Sequence, residues 1–214
     1  MLPLFFCANV FYSYQQNNVN GMTFNIRTRS LNGALYWMAQ MFGGLLIGLL
    51  LDLPMLERPG RARLGWILLF VTGMVIWAAG TSSRNGRTLG THWDVDYTQG
   101  SISTGPIFLY IFYGAYDSLW QSYCYWLMGT QSNSTGGRRC LSAFQAAGGA
   151  MAWRINAQHT SAMTQLAMNW GLSMGSLVLA LPTVLAVTKS TSVLEEAGAE
   201  APSDKVEEKM VEDS

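Results

Sequence analysis

Apolar residues come in long blocks along this chain, and the polar positions fall mostly between the blocks. Residues 31–51 form 21 positions without a charge, and residues 64–83 form 20. Residues 105–129 follow, with one carboxylate, Asp117, at their centre; residues 140–158 hold one arginine, Arg154, and residues 162–188 hold none. A helix of ~20 residues crosses the ~30 Å hydrocarbon core of a bilayer, and each run reaches or approaches that length. A soluble domain can bury one such helix, but five would leave no surface for water. A sixth, shorter block, residues 2–17, is apolar with Asn9 inside and Gln15 and Gln16 at its end. It lacks the basic start and small-residue cleavage site of a signal peptide, so it reads as a spanning helix cut short at Met1. The pattern predicts an all-α polytopic membrane protein with helices at about 2–17, 31–52, 64–83, 105–129, 139–159 and 162–188.

Composition sharpens this picture in one place. The 214 residues are 50% hydrophobic and 12% charged, with zero formal net charge. Eight of the 13 acidic residues lie in residues 193–214, which are poor in large apolar side chains. Such a segment cannot bury enough surface to fold alone, so residues 189–214 read as a disordered acidic tail. The remaining body is basic, with ten arginines and Lys189 against Asp52, Glu57, Asp94, Asp96 and Asp117. A nucleic-acid partner would want clustered basic residues; here they are scattered between apolar runs. The partners expected are the lipid bilayer and another membrane-embedded segment, with no nucleic acid. Cys7, Cys124 and Cys140 are odd in number and follow no C-x-x-C spacing, which suits apolar packing rather than a disulfide or zinc site.

Small residues recur at four-residue spacing: Gly44 and Gly48, Gly171 and Gly175, and Ser142, Ala146 and Ala150. Rows of this kind let helices approach closely in lipid. The aromatic clusters at Tyr36–Trp37 and Tyr123–Trp126 suit an interfacial belt or helix packing, with a cavity lining as the alternative. Arginines are divided almost evenly between the two sets of loops, so the positive-inside rule alone does not orient the chain.

A motif does. "GLLLDLPMLERPGRAR", residues 48–63, resembles the signature of the major facilitator superfamily, in the form of its degenerate copy in the second half of those proteins. Gly48 and Asp52 match, and Arg58, Gly60, Arg61 and Arg63 follow a short insertion. Longer stretches, "FFCANVFYSYQQNNVN", "FNIRTRSLNGALYWMAQMFGGLLIGLLLD", "YWLMGTQSN" and "FQAAGGAMAWRIN", are similar to fungal members of the uncoordinated-93-like family. The resemblance covers residues 5–187 and departs from the family's pattern at Asn156, where an acid is usual.

That resemblance implies the C-terminal six-helix half of a facilitator-type bundle, with the other half missing and the chain a truncated product. It implies a membrane transporter; the alternative it carries is an accessory or trafficking protein, as animal relatives regulate ion channels or escort receptors. The motif loop would be cytoplasmic, the tail with it, and Asn133 in "NST" would carry no glycan. The chain alone is expected not to transport, since alternating access rocks one half against the other.

No catalytic constellation or cofactor site is evident, and no metal site. "GLSMG" at residues 171–175 matches a nucleophile-elbow pattern, but it lies in an apolar helix and the chain has only two histidines. The expectation is a non-enzyme without cofactors. The candidate pathway residues are Asp117, Arg154, Gln121, Gln145 and Gln15. A carboxylate at mid-membrane is costly unless paired or hydrated. Counted from the loop that joins their helices, Asp117 and Arg154 fall at nearly the same depth, about 18 and 22 Å. They are expected to pair, with Gln121 and Gln145 as neighbours. The alternative is that Arg154 reaches to the interface while Asp117 stays protonated or faces water.

Overall fold

The computed structural model describes residues 1–85, 94–131 and 135–187. The acidic tail and Asn133 lie outside the described residues, and so do the expectations placed on them. The described chain is helical. Its elements are α1 (Leu2–Cys7), α2 (Val10–Ser13), a π-helix (Tyr14–Gly21), α3 (Ile26–Leu51), α4 (Arg58–Asn85), a 3-10 turn (Tyr97–Gln99), α5 (Thr104–Gln131), α6 (Thr135–Ala157) and α7 (Ala162–Leu185). A single parallel bridge, Phe24 to Val95, is the one extended pairing among the described residues.

Two departures from the pattern reading have local causes. The first block is broken rather than one helix. Ala8 ends the first turns, and its carbonyl accepts from Gln121 Nε2 at 3.0 Å. The chain restarts at Val10 and widens into the π-helix from Tyr14. Helices α3 and α4 begin earlier than their apolar runs. Asn25 caps α3, accepting from the Thr28 amide at 2.9 Å, so Arg27 and Arg29 sit in its first turn. Arg58 opens α4, which places the motif arginines on its first two turns.

By length and composition, α3, α4 (over Arg58–Ser83) and α7 are long and apolar enough to cross a membrane. The pattern had offered five such runs. Helices α5 and α6 are comparably long, 28 and 23 residues, but the inward positions of α5 include Tyr110, Tyr113, Tyr116, Tyr123 and Asp117, and α6 carries Arg139, Ser142 and Arg154 on its exposed side. In α5 these polar groups lower apolarity because they are spent on the interior rather than on lipid.

Helices α3 and α5 run parallel: Tyr36 lies on Gly114, and Gly43 on Ala115 and Ser118. Helix α4 runs antiparallel between α5 and α7. Its glycines receive tyrosines of α5, Gly65 against Tyr123, Gly73 against Tyr116 and Gly80 against Tyr113. Trp66 donates to the Leu177 carbonyl of α7 at 2.8 Å. The broken first segment threads among α5, α6 and α7. Trp120 donates to Leu4 O at 3.2 Å, and Gly148 of α6 meets the Phe6 carbonyl. In lipid, helices gain little from burying apolar surface against each other, so close packing carries association. Here that packing is aromatic ring into glycine notch. Tyr110, Tyr113, Tyr116, Trp120 and Tyr123 form one fully buried face of α5.

The expected small-residue rows take little part. Gly48, Gly171 and Gly175 have open space where a Cβ would stand, and Ser142, Ala146 and Ala150 are exposed. Spacing of four puts residues on one helix face, but it does not say that a neighbour covers that face.

Candidate functional site: a sealed carboxylate among amides and phenols

Asp117 is 0% exposed. Gln40 Nε2 of α3 donates to its Oδ2 at 2.5 Å and to the Tyr12 hydroxyl at 3.0 Å. The Tyr12 hydroxyl in turn bonds the Asp117 carboxyl. Oδ1 has no hydrogen-bond partner. The expected pair with Arg154 does not form: Arg154 stands exposed near the end of α6. Equal depth by residue count does not make two side chains meet, because azimuth decides. Helix α6 packs on α1 and α2, so the first segment stands between Asp117 and the arginine.

The other candidates split into two groups. Gln15, on the π-helix, is 0% exposed and accepts from the Tyr36 hydroxyl at 2.6 Å. Gln121 donates to Asn9 Oδ1 at 2.9 Å and accepts from Gln145 Nε2. Tyr125 donates to Gln145 Oε1 at 3.0 Å. In this second group Gln145 is buried, Asn9 and Gln121 are half-buried and Tyr125 is 46% exposed. Together with Tyr12 and Gln40, both half-buried, it makes a polar face beside the sealed carboxylate.

A third cluster was not anticipated. Asn18 donates to Gln165 Oε1 at 2.9 Å and to Asn156 Oδ1 at 3.1 Å. The π-helix is thus a hub: Gln15 reaches α3, Gln16 reaches Tyr110 of α5, and Asn18 reaches α6 and α7. A π-helix is rare and often marks a functional position. Its sequence, "YQQNNVNG", is the signal that could have been used. A second missed signal is the stripe Asn32, Tyr36 and Gln40, polar every fourth residue inside an apolar run.

The motif residues hold one end of the bundle. Arg61 donates to Leu56 O at 2.8 Å and Leu51 O at 3.1 Å, placing a cation on the C-terminal carbonyls of α3, where the helix dipole favours it. Arg58 donates to Gly129 O near the end of α5 at 3.3 Å. Asp52 and Arg63 are exposed; a Cβ at Gly48 would meet nothing within 4 Å, and one at Gly60 would meet Leu56 at 3.7 Å. At the opposite end lies a clasp. Asn25 Nδ2 donates to Asp96 Oδ2 at 2.6 Å, Arg27 donates to the Tyr97 hydroxyl at 2.6 Å, and Arg27 stands 3.9 Å from Asp96.

No family model matches this chain, and no solved structure matches it significantly. Curated proteins do. An UNC93-like protein of Schizosaccharomyces pombe is 39% identical over 200 residues, 90% of this chain and 40% of the relative. UNC93-like protein 1 of Arabidopsis thaliana is 38% identical over 180 residues, 81% of this chain and 39% of the relative. An uncharacterized membrane protein of the same yeast is 32% identical over 121 residues, 53% of this chain and 24% of the relative. The chain spans about two fifths of the length of the UNC93-like relatives it matches. Three apolar helices and these relatives make it an integral membrane protein, and over the shared segment the chain belongs to the UNC93-like family.

Proposed function

We propose that this chain is part of a carrier-type membrane transporter, a six-helix half of a facilitator-type bundle, and that it performs no covalent chemistry. The observation that carries this reading is the polar face of Tyr12, Gln40, Asn9, Gln121 and Tyr125, set beside a sealed carboxylate. Polar groups in a spanning bundle are costly and gather where ions or substrates pass. The segment that covers this face would come from the rest of a full-length protein or from another membrane protein, and the motif end with the tail would be cytoplasmic. A second reading, a non-transporting accessory protein, is favoured by the complete burial of Asp117, as expected of a scaffold rather than a path. The two are separated by thiol access. In a chain with Cys7, Cys124 and Cys140 replaced by alanine, Gln121→Cys is exposed to a membrane-impermeant maleimide, with Met55→Cys, 91% exposed, as control. Labelling at position 121 supports a hydrated carrier face. Labelling at position 55 alone supports the accessory reading.

A further inference from the structure

From Asp117 a file of polar groups runs along α3 toward its N-terminal end. Toward the N-terminal end of α3, Gln40 adjoins the Tyr36 hydroxyl, which donates to Gln15. The Tyr36 and Tyr110 rings lie 4.9 Å apart. The Tyr110 hydroxyl donates to Gln16 Oε1 at 2.9 Å and adjoins Asn20. Asn32 Nδ2 donates to Asn20 Oδ1 at 3.1 Å, and Asn20 Nδ2 donates to Arg29 O at 3.4 Å. Arg29 is half-exposed at the clasp end. Asn32, Tyr36 and Gln40 are one helical turn apart, so the file covers roughly 12 Å of α3. Toward the motif end the same face of α3 is Gly43, packed on Ala115, then Ile47 and Leu51, both buried. On α3 that side is apolar, and the polar neighbours of Asp117 toward the motif end are Gln121 and Tyr125 of its own helix.

Three atoms along the file lack partners: Asp117 Oδ1, Gln15 Nε2 and Asn32 Oδ1. All three residues are 0% exposed. A buried polar atom left unpaired is unfavourable, and these three recur about once per helical turn along one line. Water satisfies both the free donor and the free acceptors, and buried waters take such positions. The titratable groups facing Asp117 are Tyr12 of α2 and Tyr36 of α3, with Tyr110 of α5 next in line. No arginine reaches it.

We propose that this file is a proton-access path joining Asp117 to the clasp end of the molecule, through the Tyr36 and Tyr110 hydroxyls and through water held at the unpaired atoms, with the amides fixing their positions. It builds on the reading of Asp117 as an ion-pathway residue. Its test needs no transport, so failure of the carrier reading and failure of the path give different results. The measurement is infrared spectroscopy of the reconstituted chain. The protonated carboxyl band of Asp117 is assigned by its loss in Asp117→Asn, and its shift is followed after transfer to deuterated buffer. Tyr36→Phe removes one oxygen with no change of shape and is expected to slow the shift at least tenfold; Asn32→Leu should act likewise. Tyr113→Phe, a buried tyrosine outside the file, should leave the rate unchanged. Exchange at the wild-type rate in Tyr36→Phe would place access through the half-exposed Tyr12 and Gln40 instead and overturn the path. A wild-type carboxyl band that never appears or never shifts would overturn it too.

Discussion

At the scale of single residues, what surrounds a side chain matters more than its depth. Asp117 is held by Gln40 and Tyr12 and not by Arg154. Asp117→Leu should therefore destabilise the protein by ~1–3 kcal/mol, because it strands two hydrogen-bonding groups. Arg154→Gln, at an exposed site, should stay within about 0.5 kcal/mol. The double variant should be additive, as distant sites are; a coupling above ~0.5 kcal/mol in thermal unfolding would mean that the two charges meet after all. Glycines divide in the same way. A Cβ at Gly148 would stand 2.0 Å from the Phe6 carbonyl oxygen, whereas one at Gly175 meets nothing within 4 Å. Backbone cannot yield as a side-chain tip can, so Gly148→Ala should cost ~1–3 kcal/mol or more and Gly175→Ala almost nothing. Equal melting temperatures for the two would contradict the packing of α6 on α1.

At the scale of elements, the clasp joins the start of α3 to the segment before α5. Val95 donates its amide to Thr23 O at 3.0 Å, and Asn25 donates to Val95 O at 3.1 Å. Asp96 is the keystone. Its carboxylate accepts from the Thr98 backbone amide first, then from the Asn25 side chain and the Thr98 hydroxyl, with Arg27 adding attraction, and these hold its pKa below the ordinary 3.8. The folded value lies below the unfolded one, so the stabilisation is complete above the unfolded value. It is lost as pH falls below 3.8 and through the folded value. Amide exchange at Val95 and Asn25 should accelerate in that window, and Asp96→Asn should remove the pH dependence while leaving exchange within α3 alone. Unchanged exchange across the window would show that the carboxylate does not secure the clasp.

At the scale of the whole molecule, the motif loop and the clasp lie at opposite ends of a bundle in which α3 and α5 run parallel with α4 reversed between them. If α3 crosses the bilayer, Met55→Cys and Thr98→Cys must face opposite sides. In sealed cells an impermeant maleimide should label one and spare the other until the membrane is opened. Labelling of both from outside would rule out the spanning arrangement.

Apolar block length in the sequence was enough to establish a helical membrane protein, since a run of twenty uncharged residues has few other homes. It also marked Asp117 as the anomaly, because one carboxylate among 25 residues needs a reason. Family resemblance was legible too, in stretches spread over the chain. Neighbours were not. Depth follows from counting residues, but azimuth depends on which helix covers which face, and that is settled by ring-into-notch packing between segments distant in sequence. So the sequence alone paired Asp117 with an arginine at a similar counted height, and only the tertiary structure set the first segment between them and turned Gln40, Tyr12 and Tyr36 inward. The break at Ala8 and the π-helix were hidden for the same reason. Gln121 satisfies the Ala8 carbonyl, and Tyr36 and Asn156 bond the π-helix side chains Gln15 and Asn18; these are residues from helices that local pattern cannot see.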